Sequence, residues 1–172
     1  MSRSLKCAIL TVSDTRTAGT DTSGNWLAET IAQAGHECVA RYISKDNPYQ
    51  IRKILSDWIF DERIQIIITT GGTGFSARDS TPEAVRPLLD QEIEGFGELF
   101  RQISFAEIGS STIQSRALAG IANNTLIFCL PGSTNACRTA WEGILREQLD
   151  SEHQPCNFAT RFGDDGRYHR HA

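Results

Sequence analysis

The chain has 172 residues, a net charge of −4 and 40% hydrophobic residues, which predicts one globular domain. The acidic balance argues against a broad basic face, so we expect no nucleic-acid partner. No run approaches the roughly 20 apolar residues of a membrane span, so we expect no membrane partner. The five cysteines include no C-x-x-C pair, which is typical of reduced thiols and predicts a cytoplasmic location.

The first half of the chain alternates between strand and helix patterns. Leu5–Val12 is an apolar run typical of a buried strand, and Glu37–Ser44 alternates weakly like a second strand. Between them, Thr22–Ala34 has helical spacing and ends at a glycine. Asn47 and Pro48 supply a cap and a first-turn proline for a second amphipathic helix.

The second half adds three strands and at least two helices. Ile64–Thr70 is a nearly continuous β-branched run, as in a strand covered on both faces. Ser80-x-x-Glu83 fits a capping box at the start of a helix. Ile113–Ile121 and Thr125–Leu130 flank two asparagines and predict a hairpin, and Thr134–Leu149 is the last helical pattern.

Strands that alternate with helices predict an α/β fold. We expect a three-layer sandwich around a mostly parallel sheet, with the hairpin as an antiparallel edge. Residues 1–150 form the single domain in this interpretation. Residues 151–172 are polar and carry few apolar anchors, so we expect an extended or partly disordered C-terminal tail.

Three glycines fall in four residues directly after the third strand, in Gly71-Gly72-Thr73-Gly74. Glycines let the backbone approach a ligand closely and point successive N–H groups at an anion. A P-loop would need a lysine that is absent here. Gly72-x-Gly74-x-x-Ala77 matches the dinucleotide pattern, but the helix signals come too late for it. The loop therefore predicts phosphate binding without either motif.

Two acids accompany this loop. Asp79 lies five residues past Gly74, and Asp46 follows the second strand, so both are candidates for the same sheet edge. A carboxylate beside a phosphate repels it unless a cation lies between them, and Mg²⁺ prefers such oxygen ligands. The pattern indicates metal-assisted nucleotidyl or phosphoryl transfer.

Further residues could complete the pocket. Pro131, Gly132 and Ser133 follow another apolar strand and could line a base or ribose site. Arg78 and Arg116 are candidate anion clamps, as is Arg138.

The motif Thr69-Thr-Gly-Gly-Thr-Gly-x-x-x-x-Asp79-x-Thr-Pro-Glu-Ala84 resembles the signature of the molybdopterin adenylyltransferase family. Thr11-Val-Ser-Asp14, Ser115-Arg-Ala-Leu-Ala-Gly120 and Leu130-Pro-Gly-Ser133 agree with it. The similarity runs from about Leu5 to Leu149 and is greatest to the molybdenum cofactor biosynthesis protein B branch.

The resemblance implies a Mg²⁺-dependent reaction in which molybdopterin and ATP give adenylyl-molybdopterin and pyrophosphate. It places nucleotide phosphates on the four residues of the glycine loop and makes Asp46 and Asp79 catalytic metal ligands. Ser13, Asp14 and Ser115 would lie at or near the pterin and nucleotide pockets. A homo-oligomer, either a trimer or a hexamer, is also implied.

The chain departs from the family pattern at two positions. Ser80 stands where valine is common, and Asn135 stands where the branch often has lysine. Some members of the branch have lost one of the two acids, whereas this chain keeps both. An active enzyme and a catalytically silent molybdopterin-binding or assembly protein are therefore both open from the sequence.

Overall fold

The computed structural model of the protein describes residues 2–163. One six-stranded sheet forms its centre, with strand order β2-β1-β3-β6-β5-β4. The strands are β1 (Lys6–Val12), β2 (Glu37–Ser44), β3 (Ile66–Thr70), β4 (Gln91–Glu92), β5 (Leu118–Ala122) and β6 (Thr125–Leu130). The α-helices are α1 (Thr22–Gln33), α2 (Pro48–Phe60), α3 (Thr81–Val85), α4 (Glu94–Ile108), α5 (Thr134–Ala140) and α6 (Arg146–Gln148).

The predicted sheet topology is confirmed. Strands β2, β1, β3 and β6 are parallel neighbours, and β5 pairs antiparallel with β6 through the turn at Asn123 and Asn124. Both asparagines have positive φ, which the tight hairpin turn requires. The predicted strand Ile113–Ile121 is wrong in its first five residues, because Ile113 and Gln114 end the 3₁₀ helix Gly109–Gln114 and residues 115–117 have no regular structure. The short edge strand β4 was not predicted; it pairs antiparallel with β5.

Helices cover both faces of the sheet, which confirms the three-layer α/β arrangement. Leu27 and Ile31 of α1 pack with Phe96 and Phe100 of α4 on one face. The other face is covered by α2 and α3, which contribute Ile51, Leu55, Ala84 and Val85 to the apolar core. A π-helical turn, Trp141–Leu145, joins α5 to α6 where one helix was predicted. Within residues 2–163, no helix is long and apolar enough to cross a membrane.

Strand register brings four loops to one edge. Val12 lies beside Ser44, Thr11 beside Thr70, and Thr70 beside Leu130, so the carboxyl ends of β1, β2, β3 and β6 are level. In open parallel sheets this edge is where ligands bind. The loops that follow these strands hold almost all of the site residues predicted from the sequence.

The segment after Asp150 packs more closely than expected. Ala159 and Phe162 are buried in the core on the α1 face. The backbone N–H of Arg3 donates to Ser151 Oγ at 2.9 Å, and the Arg3 guanidinium donates to the carbonyl of Phe162. The prediction of an extended or partly disordered segment is therefore wrong for residues 151–163. The remainder of the polar tail lies outside the described residues.

Stability should fall in mild acid because of one buried histidine. Nδ1 of His36 accepts the N–H of Leu5 at 3.2 Å, which requires the neutral ring. Burial lowers the pKa of His36 below its ordinary value of 6.5, against the opposing charge of Asp150. The unfolded chain therefore protonates His36 more readily than the folded chain does. The free energy of unfolding is highest above the pKa of the unfolded chain, and it decreases as the pH falls from there through the pKa of the folded chain.

Urea unfolding between about pH 5 and 8 measures this effect. We expect the midpoint to fall toward acid in the wild type and to fall less in His36→Gln, because glutamine does not titrate. If the urea midpoint depended on pH equally in the two proteins, a group other than His36 would control the acid sensitivity.

Candidate functional site

A cavity of about 480 Å³ opens at the carboxyl edge of the parallel strands. Its walls come from the loops after β1, β2, β3 and β6 and from one side of α4 and the turn that follows it. The predicted site residues that line it are Ser13, Asp46, Gly71, Gly72, Thr73, Gly74, Asp79, Ser115, Pro131, Gly132 and Ser133. The structure therefore brings eleven of the fifteen predicted residues to one cavity. The four that do not line it are Asp14 and the three candidate anion clamps, Arg78, Arg116 and Arg138, of which Arg138 lies over the ring of Trp26.

The glycine loop begins in a conformation that suits glycine. Gly71 has φ +104° and Gly72 has φ +71°. A Cβ on Gly71 would lie 2.2 Å from the carbonyl oxygen of Val12, and one on Gly72 would lie 2.3 Å from Thr81 Oγ1. Thr81 fixes this turn, because its hydroxyl donates to the Gly71 carbonyl at 2.8 Å and its N–H donates to the Gly72 carbonyl at 3.0 Å.

Beyond this turn the loop offers unused donors to the cavity. The N–H groups of Gly72, Thr73 and Gly74 donate no hydrogen bond to any part of the chain between residues 2 and 163. All three residues line the cavity. Consecutive N–H groups of this kind form an anion-binding concavity, so a phosphate would supply the acceptors that the protein does not.

Asp46 is held against the start of α3. Its Oδ1 accepts the hydroxyl of Ser80 at 2.5 Å and the backbone N–H of Ser80 at 3.1 Å. The pKa of the Asp46 carboxyl is raised above its ordinary value, mainly by burial and also by the negative charges of Asp79 and Asp14. The hydrogen bonds from Ser80 oppose this shift in part. Within residues 2–163, Asp46 Oδ2 accepts no hydrogen bond, which leaves that oxygen available to a ligand.

The predicted capping box at Ser80 and Glu83 is wrong. The Ser80 hydroxyl makes no capping hydrogen bond to α3, and it holds Asp46 instead. The Glu83 carboxylate pairs with Arg116. Helix α3 still begins at Thr81 with Pro82 in its first turn, as expected.

Ser80→Ala should destabilise the protein by about 1–2 kcal/mol, because it removes a hydrogen bond to a carboxylate that is largely buried. The free energy of unfolding in urea measures this loss. Ser110→Ala, which truncates an exposed serine in the turn after α4, is the matched control and should change little. An unchanged midpoint for Ser80→Ala would mean that the hydroxyl does not support Asp46.

Asp79 closes the outer half of the loop. Its Oδ2 accepts the N–H of Ser76 at 2.8 Å, and its own N–H donates to the Ser76 carbonyl at 3.1 Å. A Cβ on Gly74 would lie 2.8 Å from the same carboxylate oxygen, so only glycine admits Asp79 at this distance. Oδ1 accepts no hydrogen bond from residues 2–163 and is available to a ligand.

Asp14 and Arg78 form an ion pair beside the cavity. The Arg78 Nε and Nη2 donate to the two carboxylate oxygens of Asp14 at 2.8 and 2.9 Å. This bidentate pair, together with the N–H of Asp46, lowers the pKa of Asp14 to about 2. Neither residue lines the cavity, and their role in substrate binding stays a prediction.

The loop after β6 is built around hydrogen bonds to its backbone. Ser23 Oγ donates to the Gly132 carbonyl at 2.7 Å, and Thr70 Oγ1 donates to the Pro131 carbonyl at 2.8 Å. Ser133 caps α5 by accepting the N–H of Ala136. Ser133 therefore has a capping role, and it also lines the cavity together with Pro131 and Gly132.

Sequence reasoning missed one whole wall of the cavity. Its residues share no motif and lie on α4 and the following turn: Phe100, Ser104, Ile108, Ser111 and Gln114. Asp21 and Arg16 also line the cavity. Asp21 is the buried N-cap of α1 and accepts from Gly24 N–H and Thr11 Oγ1, a role that its position before a helix could have indicated.

Comparison with known proteins assigns the family. Residues 8–151 match the family described as "Probable molybdopterin binding domain". Molybdenum cofactor biosynthesis protein B of Escherichia coli strain K12 is 55% identical over 153 residues, which cover 89% of this chain and 90% of that protein. The chain belongs to the molybdenum cofactor biosynthesis protein B family.

Solved structures of this family agree with the fold. A crystal structure of molybdenum cofactor biosynthesis protein B superposes with a TM-score of 0.83 at 43% identity, covering 86% of this chain and 92% of that one. The tungsten cofactor synthesizing protein of Pyrococcus furiosus gives a TM-score of 0.77 at 36% identity, with coverage of 84% and 92%. The cavity thus lies in a fold shared with cofactor biosynthesis proteins for both metals.

Proposed function

We propose that the protein acts in molybdenum cofactor biosynthesis by transferring the adenylyl group of ATP to molybdopterin, with Mg²⁺ and with release of pyrophosphate. The observation that carries this proposal is the glycine loop. It presents three unused N–H groups to a cavity in which two carboxylates, Asp46 and Asp79, each keep an available oxygen. The family assignment supports the pterin as the acceptor.

The donor set fits Mg²⁺. Asp46 Oδ2 and Asp79 Oδ1 are hard oxygen ligands, and Mg²⁺ is usually held by one or two carboxylates together with phosphates and water. Within residues 2–163 no three His, Cys, Asp or Glu side chains are grouped to hold a metal by themselves. A metal at this site would therefore depend on phosphate oxygens for further ligands, as expected when metal and nucleotide bind together. Mg²⁺, when bound, would neutralise charge on the reacting phosphates.

Local charge supports the same conclusion. Three acids, Asp14, Asp46 and Asp79, lie close enough together at this edge for the charges of Asp14 and Asp79 to act on Asp46. Arg78 is neutralised by Asp14 and Arg116 by Glu83, while Arg16 lines the cavity and donates to the Thr20 carbonyl. Arg16, Lys45 and the backbone dipoles leave much of a triphosphate's charge uncompensated, so we expect a divalent cation to bind together with the nucleotide.

In this proposal the residues bind and orient, and the phosphates react. The N–H groups of Gly72, Thr73 and Gly74 hold the nucleotide phosphates. The terminal phosphate oxygen of molybdopterin attacks the α-phosphorus of ATP, the bond from that phosphorus to the bridging oxygen breaks, and pyrophosphate leaves. Proximity and alignment account for much of the rate in phosphoryl transfer, so holding the two phosphates in line is the main contribution that this proposal assigns to the cavity.

Pyrophosphate release from ATP is the direct test. We expect release that requires both molybdopterin and Mg²⁺. A protein that binds molybdopterin tightly but releases no pyrophosphate would instead be a silent binding or assembly protein of the same pathway. Release without pterin, or with an unrelated phosphorylated acceptor, would point to a different nucleotide-handling reaction in this cavity.

A homo-oligomer is also proposed, as a trimer or a hexamer. Support comes from apolar side chains exposed on α4 and the turn after it: Leu99, Phe105, Ile108 and Ile113. Several large apolar side chains exposed on one helix and the turn after it are typical of a surface that binds another protein chain. Light scattering from the purified protein tests the proposal, and the mass of a monomer would refute it.

A further inference from the structure

Arg116 holds more of the glycine loop than any motif in the sequence indicates. Its Nε and Nη2 both donate to the carbonyl of Gly74, at 3.0 and 2.8 Å, and Nη2 also reaches the carbonyl of Asp79 at 3.4 Å. Its backbone N–H donates to the carbonyl of Thr73 at 2.9 Å. Arg116 therefore binds the carbonyls of three loop residues, Thr73, Gly74 and Asp79.

Two further contacts fix the guanidinium itself. It lies over the ring of Phe75 at 5.0 Å from the centroid and pairs with the carboxylate of Glu83 on α3. The Arg116 side chain is 21% exposed, whereas Phe75 is 65% exposed. A planar cation with several donors in a fixed geometry can satisfy carbonyls, a carboxylate and a ring face at once, which a lysine cannot do.

The inner and outer halves of the loop depend on different anchors. Thr81 secures Gly71 and Gly72. The outer half, residues 73–79, is closed on itself by Ser76 and Asp79, and the remaining bonds to the rest of the described chain come from Arg116 and from the pair of Arg78 with Asp14. That second pair is exposed and is therefore readily broken by salt or by a competing anion.

We propose that Arg116 is a positioning residue that clamps the outer half of the glycine loop, so that Asp79 and the N–H groups of Thr73 and Gly74 face the nucleotide phosphates in one fixed geometry. Arg116 does not line the cavity and touches no ligand in this assignment. The catalytic part of this inference rests on the adenylyl transfer proposed above; the structural part does not.

The test uses the full chain as wild type, Arg116→Ala and Arg116→Lys. Arg52→Ala is the matched control, because Arg52 also lies over an aromatic ring, that of Tyr49, and also donates to backbone carbonyls, those of Glu83 and Ala84. The first readout is the rate at which chymotrypsin cuts the Phe75–Ser76 bond, identified by mass spectrometry without any ligand. The second is pyrophosphate release with molybdopterin, ATP and Mg²⁺. Both are repeated with added guanidinium ion.

We expect Arg116→Ala to be cut at Phe75 at least about 10-fold faster than the wild type and to lose about 100-fold in kcat, the scale of a loop displaced by about 1 Å. The KM for molybdopterin should change much less. Guanidinium should restore both protection and turnover in Arg116→Ala but not in Arg116→Lys, whose ammonium occupies the position. Arg52→Ala should match the wild type in both readouts.

Three results would overturn the clamp: wild-type protection of Phe75 in Arg116→Ala, equal cutting in Arg52→Ala, or no recovery with guanidinium. Cutting spread over the whole chain would indicate unfolding of Arg116→Ala, and Arg116→Lys then decides the question by its cutting at Phe75 alone. If the wild type releases no pyrophosphate, the proposed reaction fails, while cleavage at Phe75 still confirms or refutes the clamp.

Discussion

Asp79→Asn should reduce ATP-dependent pyrophosphate release by about 10²–10³-fold, the usual cost of removing one electrostatic contact to reacting groups. Asparagine is isosteric, and its carbonyl oxygen can still accept the N–H of Ser76 that Asp79 Oδ2 accepts now. The loop should therefore keep its shape, and only the negative charge that would face the proposed Mg²⁺ is lost. Molybdopterin binding and the free energy of unfolding should be nearly unchanged.

Asp61→Asn provides the control for this variant. Asp61 lies at the end of α2 and pairs with Arg63; it precedes the amino end of β3, whereas the glycine loop follows the carboxyl end, and it does not line the cavity. It should leave turnover at the wild-type level. If Asp79→Asn retained full turnover, the metal role of Asp79 would be wrong. If it lost turnover and pterin binding together, Asp79 would be a general binding residue rather than a metal ligand.

Gly71→Ala should destabilise the protein by about 3 kcal/mol, because strain at positive φ and steric overlap each cost about 1–3 kcal/mol. The φ of Gly71 is +104°, and a Cβ there would lie 2.2 Å from the backbone oxygen of Val12. A main-chain atom cannot rotate away as a side chain can. Since Gly71 also donates to the Leu130 carbonyl at the core of the sheet, the displacement would reach β1 and β6. Urea unfolding measures the loss.

Gly35→Ala separates the two costs. Gly35 has a similar φ of +85°, but no atom lies within 4 Å of the position of its Cβ. It should cost about 1 kcal/mol from backbone strain alone. Pyrophosphate release should survive in Gly35→Ala and be lost in Gly71→Ala. A Gly71 variant no less stable than the Gly35 variant would mean that the loop moves without penalty.

The sequence predicted best the features in which the conformational preferences of neighbouring residues match their place in the sheet. The largely β-branched run Ile64–Thr70 favours a strand covered on both faces. The glycines that follow it are typical of a tight turn or of a backbone that a ligand approaches closely. Because parallel strands end at one edge, the acid after β2 and the glycines after β3 were expected to meet, and the structure places both in one cavity.

Other features depend on partners that are distant in sequence. The wall formed by Phe100, Ser104 and Gln114 could not be predicted, because these residues form no motif. They face the loops only because α4 packs beside those loops in the folded chain. Ser80 and Glu83 have the spacing of a capping box, but each finds a stronger partner, a carboxylate and a guanidinium, that local pattern cannot reveal. The apolar residues near Ile113 favour a strand, yet the turn after Gly109 uses them in a 3₁₀ helix.

The contacts between Arg3 and residues 151–163 have a practical meaning for handling the protein. They bring the first and last parts of the described chain together beside the amino end of β1, whereas the cavity lies past its carboxyl end, on the order of 20 Å away along seven residues. A permuted chain that joins residue 3 to residue 163 through a short linker and opens at the Asn123–Asn124 turn should therefore keep the same strand order. A surface tether or fused carrier at residue 3 or 163 would leave the cavity open to solvent.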